Sequence, residues 1–330
     1  MNRNLPLNLA RVTEAAALSA AKYLGKGDKN AADGAAVEAM REMFDTVEID
    51  GEVVIGEGEM DEAPMLYIGE HIGKSDESYD KIDIAVDPLD GTTSIAKGMG
   101  NAIAVLAVAP RGCLLNAPDI YMDKIACGPK AKGKINLLDS PTENIKRVAK
   151  ALDKNVEDIT VAILDRPRHQ YIVDEVRSIG ARIKSVSDGD IVTAIETCFE
   201  DSGVDLIMGM GGAPEGVIAA AAIKCLGGDF QGRLHPTDDE QLKRCKELNS
   251  DLEKIYYLDD LVKGNEVLFS ATGVSRGEIL DGVKFYGKDN ATTETLVTRL
   301  PSGTTRFIKS THKLNQKPKY ATGGTDDGRK

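Results

Sequence analysis

Between residues 82 and 92 an alternating run, Ile82-Asp83-Ile84-Ala85-Val86, passes into Asp87-Pro88-Leu89-Asp90-Gly91-Thr92. The alternation is strand periodicity, and Pro88 and Gly91 are expected to break the strand. The break gathers Asp87 and Asp90 at the strand's end beside Thr92. Two carboxylates held close repel unless a cation neutralises them, and their oxygens suit hard divalent ions such as Mg²⁺ or Mn²⁺. A helix starting at Thr92-Thr93-Ser94 would turn the Gly91 and Thr92 amides into an anion cradle. A cation beside a cradled anion is the layout of a metal-dependent phosphate site.

Other polar clusters recur along the chain, each with a plainer alternative. Val53-Val54-Ile55-Gly56-Glu57-Gly58-Glu59 is a strand running into an acidic loop, with Asp61, Glu62 and Glu70 beyond; it reads equally as a solvated loop. Asp33 falls in the first turn of a helix, where acids compensate the dipole. Lys29, near Lys26 and Asp28, could reach a phosphate or cap the first helix. Tyr121 alternates with Ile120 and Met122 and reads as packing. Further on come Asp165-Arg166-Pro167-Arg168-His169, Ser187-Asp188-Gly189-Asp190 and Gly211-Gly212-Ala213-Pro214-Glu215-Gly216. The arginines offer planar forks to a phosphate or cap a helix start. Asp188 and Asp190 could accept from sugar hydroxyls or form a turn and cap. Pro214 suits a first helical position and places Glu215 in the first turn, as a metal ligand, a substrate contact or dipole compensation.

The elements that must position these groups fall into two rhythms. Leu9, Val12, Ala16, Ala20 and Tyr23 recur at helical spacing, and a second helix is expected over about 30–44. Strands at 52–56, 82–87, 102–109 and 118–127 follow, giving helices on a largely antiparallel sheet. From 158 onward, strands at 159–164, 182–186, 204–208 and 267–270 alternate with helices near 170–179, 190–199, 213–226 and 238–247. That βαβ rhythm implies a mostly parallel sheet, with Asp165–His169, Ser187–Asp190, Gly211–Gly216 and Ala271–Gly273 on one rim at the strands' carboxyl ends. The class is α/β, with an α+β domain over 1–157 and an α/β domain over 158–330. Segments 294–300 and 304–310 read as a hairpin around Pro301-Ser302-Gly303, and the polar tail from 314 reads as disordered.

A net charge of −12 argues against broad nucleic-acid or membrane-surface binding. The longest apolar runs are too short to span a bilayer, and the N-terminal residues lack an apolar leader. Five cysteines without a CxxC pair suit reduced thiols and a cytoplasmic location. Four histidines without zinc spacing leave hard oxygen ligands as the expected metal chemistry. No GxGxxG follows an early strand, against a dinucleotide enzyme.

Lys29-Asn30-Ala31-Ala32-Asp33, Val54–Glu59, Val86–Thr92, Asp165–His169, Asp188–Asp190 and Gly211–Gly216 occur in the order found in the class II fructose-1,6-bisphosphatases of bacteria. The chain resembles that family over about residues 8–312. Asp-Pro-x-Asp-Gly-Thr marks the wider lithium-sensitive, metal-dependent phosphatases; Gly-Gly-Ala-Pro-Glu-Gly with Arg-Pro-Arg-His narrows the likeness to class II. The resemblance implies a layered α-β-α-β-α sandwich and two or more Mg²⁺ or Mn²⁺ ions. It implies Asp33, Glu57, Asp87, Asp90 and Glu215, drawn from both halves, as metal ligands. It implies substrate contacts from Asp90, Gly91, Thr92, Tyr121, Arg166, Pro167, Arg168, Asp188, Gly189, Asp190 and Gly212, and catalytic roles for Thr92, Lys29, Glu57 and Asp33. Some relatives carry Glu where this chain has Asp90. The implied reaction is hydrolysis of the C1 phosphate of fructose 1,6-bisphosphate in a homodimer or homotetramer. Sedoheptulose 1,7-bisphosphate or another sugar or inositol phosphate is the rival substrate, and a non-catalytic sugar-phosphate sensor the rival from another class.

Overall fold

The computed structural model describes residues 1–58, 65–74, 76, 78–248 and 250–318. The chain divides into two compact units, Met1–Gly112 with Glu266–Lys330, and Cys113–Asn265.

The first unit opens with helices α1 (Leu5–Ala20) and α2 (Lys29–Phe44). Leu9, Val12 and Ala16 of α1 are buried with Ala36, Met40 and Phe44 of α2. The Asp28 carboxylate caps α2 by accepting from the Ala31 N–H at 2.9 Å. Then come β1 (Asp50–Ile55), β2 (His71–Ile72), β3 (Lys81–Asp90), the short helix α3 (Thr92–Lys97) and β4 (Ile103–Pro110). Alternate residues Ile82, Ile84 and Val86 of β3, with Ala104, Leu106 and Val108 of β4, enter the same core as both long helices.

The chain then builds the second unit from β5 (Tyr121–Cys127), α4 (Pro141–Leu152), β6 (Thr160–Leu164), α5 (Gln170–Ser178), β7 (Arg182–Val186), α6 (Asp190–Glu196), β8 (Leu206–Gly212), α7 (Ala213–Leu226), β9 (Asp229–His235), α8 (Asp239–Glu247), β10 (Tyr256–Tyr257) and α9 (Leu258–Leu261). Its core joins Ile125, Ile145, Val148, Val161, Ile172, Val176 and Leu206. Returning to the first unit, β11 (Leu268–Gly273), β12 (Lys284–Tyr286), β13 (Asn290–Arg299) and β14 (Thr304–Lys313) complete its sheet.

The class is α/β, with two mixed sheets. The first runs β12-β13-β11-β4-β3-β1-β2, with β14 on β13. Among the described residues only β1–β3 is a parallel pair there, so the antiparallel expectation fits. The second runs β10-β9-β5-β8-β6-β7. Here the expectation of a mostly parallel sheet needs correction, because among the described residues parallel pairing is confined to β8-β6-β7. β5, expected in the first half, lies antiparallel between β8 and β9, and it is their pairing that draws it in. Conversely, the strand expected at 267–270 is β11, wedged between β4 and β13 of the first sheet with all six residues buried. The two units therefore do not follow a division at residue 157. Ala271–Gly273 consequently lie in the first sheet, not on the rim formed by the parallel strands.

Two local expectations shift as well. β3 continues through Pro88 to Asp90, with a register shift against β4 between Asp87 and Asp90. Irregular pairing of that kind tolerates a proline, which has no N–H for the ladder. α2 begins at Lys29, so Asp33 is its fifth residue rather than a first-turn acid. The 294–300 and 304–310 hairpin is present as β13–β14. Of the tail, Leu314–Gln316 form a 3-10 turn, and the part expected beyond 318 lies outside the described residues.

Candidate active-site residues on the two units

In the first unit the irregular end of β3 sets two acids. The Leu89 N–H donates to Asp87 Oδ1 at 3.0 Å, folding the half-buried carboxylate back along its own strand. Asp90 is buried at 6% exposure. Gly91 follows with φ +97°, a conformation that costs glycine nothing. A Cβ there would stand 3.2 Å from the Cα and Cβ of Ala102. Thr92 is then the first residue of α3, and the Ile95 N–H closes the first turn onto the Gly91 carbonyl at 3.0 Å. The loop before α2 docks on the same short helix: Gly25 and Gly27 donate to the Ile95 and Ala96 carbonyls at 2.8 and 3.0 Å. α2 packs on both α3 and β3. Lys29 is exposed at the first position of α2, and Asp33 is half-buried one turn on. Burial pushes the Asp33 carboxyl above its ordinary pKa. Glu57 stands just past β1, where its N–H donates to the Leu66 carbonyl at 3.0 Å. A side chain at Gly56 would overlap that same carbonyl. Glu59, Asp61 and Glu62 lie outside the described residues.

In the second unit the expected rim is present at the carboxyl ends of β6, β7 and β8. Arg166 Nη1 donates to the Asp165 carbonyl at 2.8 Å and to the Ser187 carbonyl at 3.0 Å, tying the β6 and β7 exits. Pro167–His169 form a 3-10 turn. The Arg168 guanidinium lies 4.7 Å from the centre of the Tyr121 ring and donates to the Met210 carbonyl at 2.8 Å. Tyr121 is exposed at 38%, which the packing alternative did not foresee. Asp188 and Gly189 lead into α6, where Gly189 has φ +84° and Asp190 is the first helical residue. Asp190 forms an ion pair with Lys124 at 2.5 Å, with both side chains nearly buried.

Glu215 is the third residue of α7, following Pro214 as expected. Its Oε2 is sealed from solvent and has no hydrogen-bond partner among the described residues. Burial and the nearby Asp190 raise its pKa, while Lys124 opposes them. A Cβ on Gly212 would overlap the Glu215 carboxylate, and one on Gly211 would overlap Asp190 Oδ2. The paired glycines therefore leave space that the two acids occupy.

Four of the expected metal ligands belong to the first unit, and Glu215 belongs to the second. Among the described residues no three His, Cys, Asp or Glu side chains gather closely enough to hold an ion. The donor set nonetheless suits hard cations, because all five are carboxylates and one presents a buried, unsatisfied oxygen. Lys124 was not singled out in the sequence. The available signal was a lone cation within a strand that alternates Met122, Lys124 and Ala126 toward one face. His169 carries no signal of its own in the sequence beyond its place in the Asp165–His169 motif. Among the described residues no helix is long and apolar enough to cross a membrane.

Comparison with known sequences gives a consistent result. Residues 3–312 match the model of the family described as bacterial fructose-1,6-bisphosphatase, glpX-encoded. The chain is 48% identical over 330 residues to fructose-1,6-bisphosphatase 1 class 2 of Escherichia coli strain K12, covering 96% of this chain and 97% of that one. The class 2 fructose-1,6-bisphosphatases of Escherichia coli O6:H1 and Shigella flexneri show the same identity and coverage.

Proposed function

The chain belongs to the glpX-encoded family of bacterial fructose-1,6-bisphosphatases, and we infer from this that it hydrolyses fructose 1,6-bisphosphate at C1 to fructose 6-phosphate and inorganic phosphate. It is a phosphoric monoester hydrolase of a metal-dependent group. The observation that carries the reading is the family match over residues 3–312, with 48% identity extending across 96% of the chain.

The residue roles are part of the same proposal. Asp33, Glu57, Asp87, Asp90 and Glu215 hold Mg²⁺ or Mn²⁺, two or more ions per active site. Bound there, the ions would supply positive charge to offset the negative charge that develops during phosphoryl transfer. The Thr92 hydroxyl orients the attacking water, and the Glu57 or Asp33 carboxylate receives its proton. The amides of Gly91 and Thr92, with the Lys29 ammonium, hold the transferring phosphoryl oxygens. Arg166 and Arg168, flanking Pro167 and supported by Tyr121, hold the distal phosphate, and its binding energy aligns the reacting one. Asp188, Gly189, Asp190 and Gly212 line the sugar. A cytoplasmic location and self-association into a dimer or tetramer complete the proposal, and light scattering tests the latter.

The deciding measurement is inorganic phosphate release from fructose 1,6-bisphosphate with Mn²⁺, with Mg²⁺ and with excess EDTA. The expected result is turnover with a divalent ion that EDTA abolishes. Turnover undiminished by exhaustive chelation would remove the metal assignment, and no turnover on this substrate would remove the function.

A further inference from the structure

His169 ends the turn that carries Arg166 and Arg168, and it is buried at 2% exposure. Its ring reaches two strand ends at once. Nδ1 lies 2.7 Å from the Leu164 carbonyl at the end of β6, and the Met210 amide of β8 donates to Nε2 at 2.8 Å. A backbone amide can only donate, so Nε2 is the bare nitrogen and Nδ1 carries the proton toward Leu164. One neutral tautomer satisfies both partners. Burial, with Arg168 and Arg166 nearby, lowers the ring's pKa and keeps it in that neutral form. Gly209, at φ +134°, makes room for the imidazole, which stands 3.1 Å from where a Cβ would be. The Met210 carbonyl, in turn, accepts from Arg168. Both backbone polar groups of Met210 are thus held by consecutive side chains of one turn.

We propose that His169 is a positioning residue for phosphate recognition: by clamping the Met210 amide and the Leu164 carbonyl together, it fixes the β6 and β8 ends and, through them, Arg168 over Tyr121. The identity of the phosphate, the distal one of a sugar bisphosphate, rests on the reading above; the clamp rests on the hydrogen bonds alone.

Fructose 6-phosphate carries only the distal phosphate, so it reports on this subsite without chemistry. Titration calorimetry with fructose 6-phosphate and Mg²⁺ compares the natural protein with His169→Ala, His169→Gln and His169→Asn. His169→Ala is expected to weaken binding about tenfold, the scale of a buried amide left unsatisfied. A glutamine oxygen can replace Nε2 as acceptor, so His169→Gln should stay within about threefold. Asparagine can replace only Nδ1, so His169→Asn should resemble His169→Ala. On fructose 1,6-bisphosphate KM should rise, and kcat should fall by less than KM rises, since part of the distal binding energy aligns the reacting phosphate. In a ¹⁵N-histidine spectrum, one of the four rings should show a protonated Nδ1, a bare Nε2 and slow exchange. Equal affinity in all four proteins, a loss confined to kcat, or the opposite tautomer would overturn the proposal. If His169→Ala does not fold, the glutamine and asparagine pair decides. A natural protein that releases no phosphate would sink the bisphosphatase reading; the tautomer and the hydrogen exchange of the Met210 amide would then decide the clamp independently.

Discussion

Glu215 shows the conflict between stability and function in a single side chain. Its carboxylate is buried, next to another acid, and one oxygen has no hydrogen-bond partner among the described residues. A carboxyl whose pKa is raised on folding contributes stability below its unfolded pKa and loses it as pH rises through the folded one. At neutral pH, without a divalent ion, the charge is therefore a cost. Glu215→Gln should leave the metal-free protein as stable or up to about 1 kcal/mol more stable in urea, while abolishing metal-dependent phosphate release. Undiminished turnover would remove Glu215 from the ligand set. Gly212→Ala makes the complementary test. Gly212 has an ordinary extended backbone, φ −65° and ψ 142°, so alanine meets no backbone strain there. Its Cβ instead displaces the Glu215 carboxylate. Activity should fall at least about tenfold, and the overpacking should cost about 1–3 kcal/mol of stability. The motifs around these residues were legible because Gly-Gly-Ala-Pro-Glu carries its own turn and helix chemistry. Lys124 and His169 were not legible, because the Asp190 and Met210 partners that define their roles are 66 and 41 residues away.

At the scale of elements, the passage from β3 to α3 decides where Thr92 stands. The alternation of Ile82, Ile84 and Val86 announced the strand, and Gly91 announced the turn. The continuation past Pro88 was hidden, since only the partner strand β4 reveals that the ladder shifts register and resumes at Asp90. Gly91 combines a left-handed φ with Ala102 atoms 3.2 Å from where a Cβ would stand. Gly91→Ala should therefore cost about 1–2 kcal/mol for conformation alone, read as a lowered urea midpoint, and it should also displace the start of α3. If stability is unchanged, the Gly91 turn does not constrain the start of α3. Thr92→Ala leaves the backbone intact and tests chemistry instead. Its kcat should fall by roughly 10²-fold, the scale of a lost acid–base partner, with KM little altered. A change confined to KM would place Thr92 in binding.

At the scale of the molecule, the sequence announced most elements but not how they are shared between the two sheets. β11 and β13 are separated by more than 150 residues from the β4 strand whose sheet they complete, and no local pattern encodes such pairing. What closes the first unit is a buried polar seam between its first helix and its last strands. Thr13 of α1 bonds Ser270 at 3.0 Å and Thr272 at 2.7 Å, and Thr272 bonds Thr295 at 2.8 Å. Beside them, Thr293 donates to Glu14 at 3.4 Å and pairs with His312 Nε2 at 2.7 Å. Burial and the nearby Lys317 push the His312 pKa from 6.5 down to about 4. The unfolded chain thus binds a proton in a range where the folded chain refuses it. Stability is intact above about pH 6.5 and falls as pH drops toward about 4, by roughly 1–2 kcal/mol once solvent access to the ring is allowed for. Urea unfolding at pH 7 and pH 4.5, on the natural protein and on His312→Gln, measures that share. Glutamine can still bond Thr293 but cannot take the proton, so the variant should lose less stability on acidification than the natural protein. Identical losses would place the acid sensitivity elsewhere and leave the closure of the chain ends indifferent to His312.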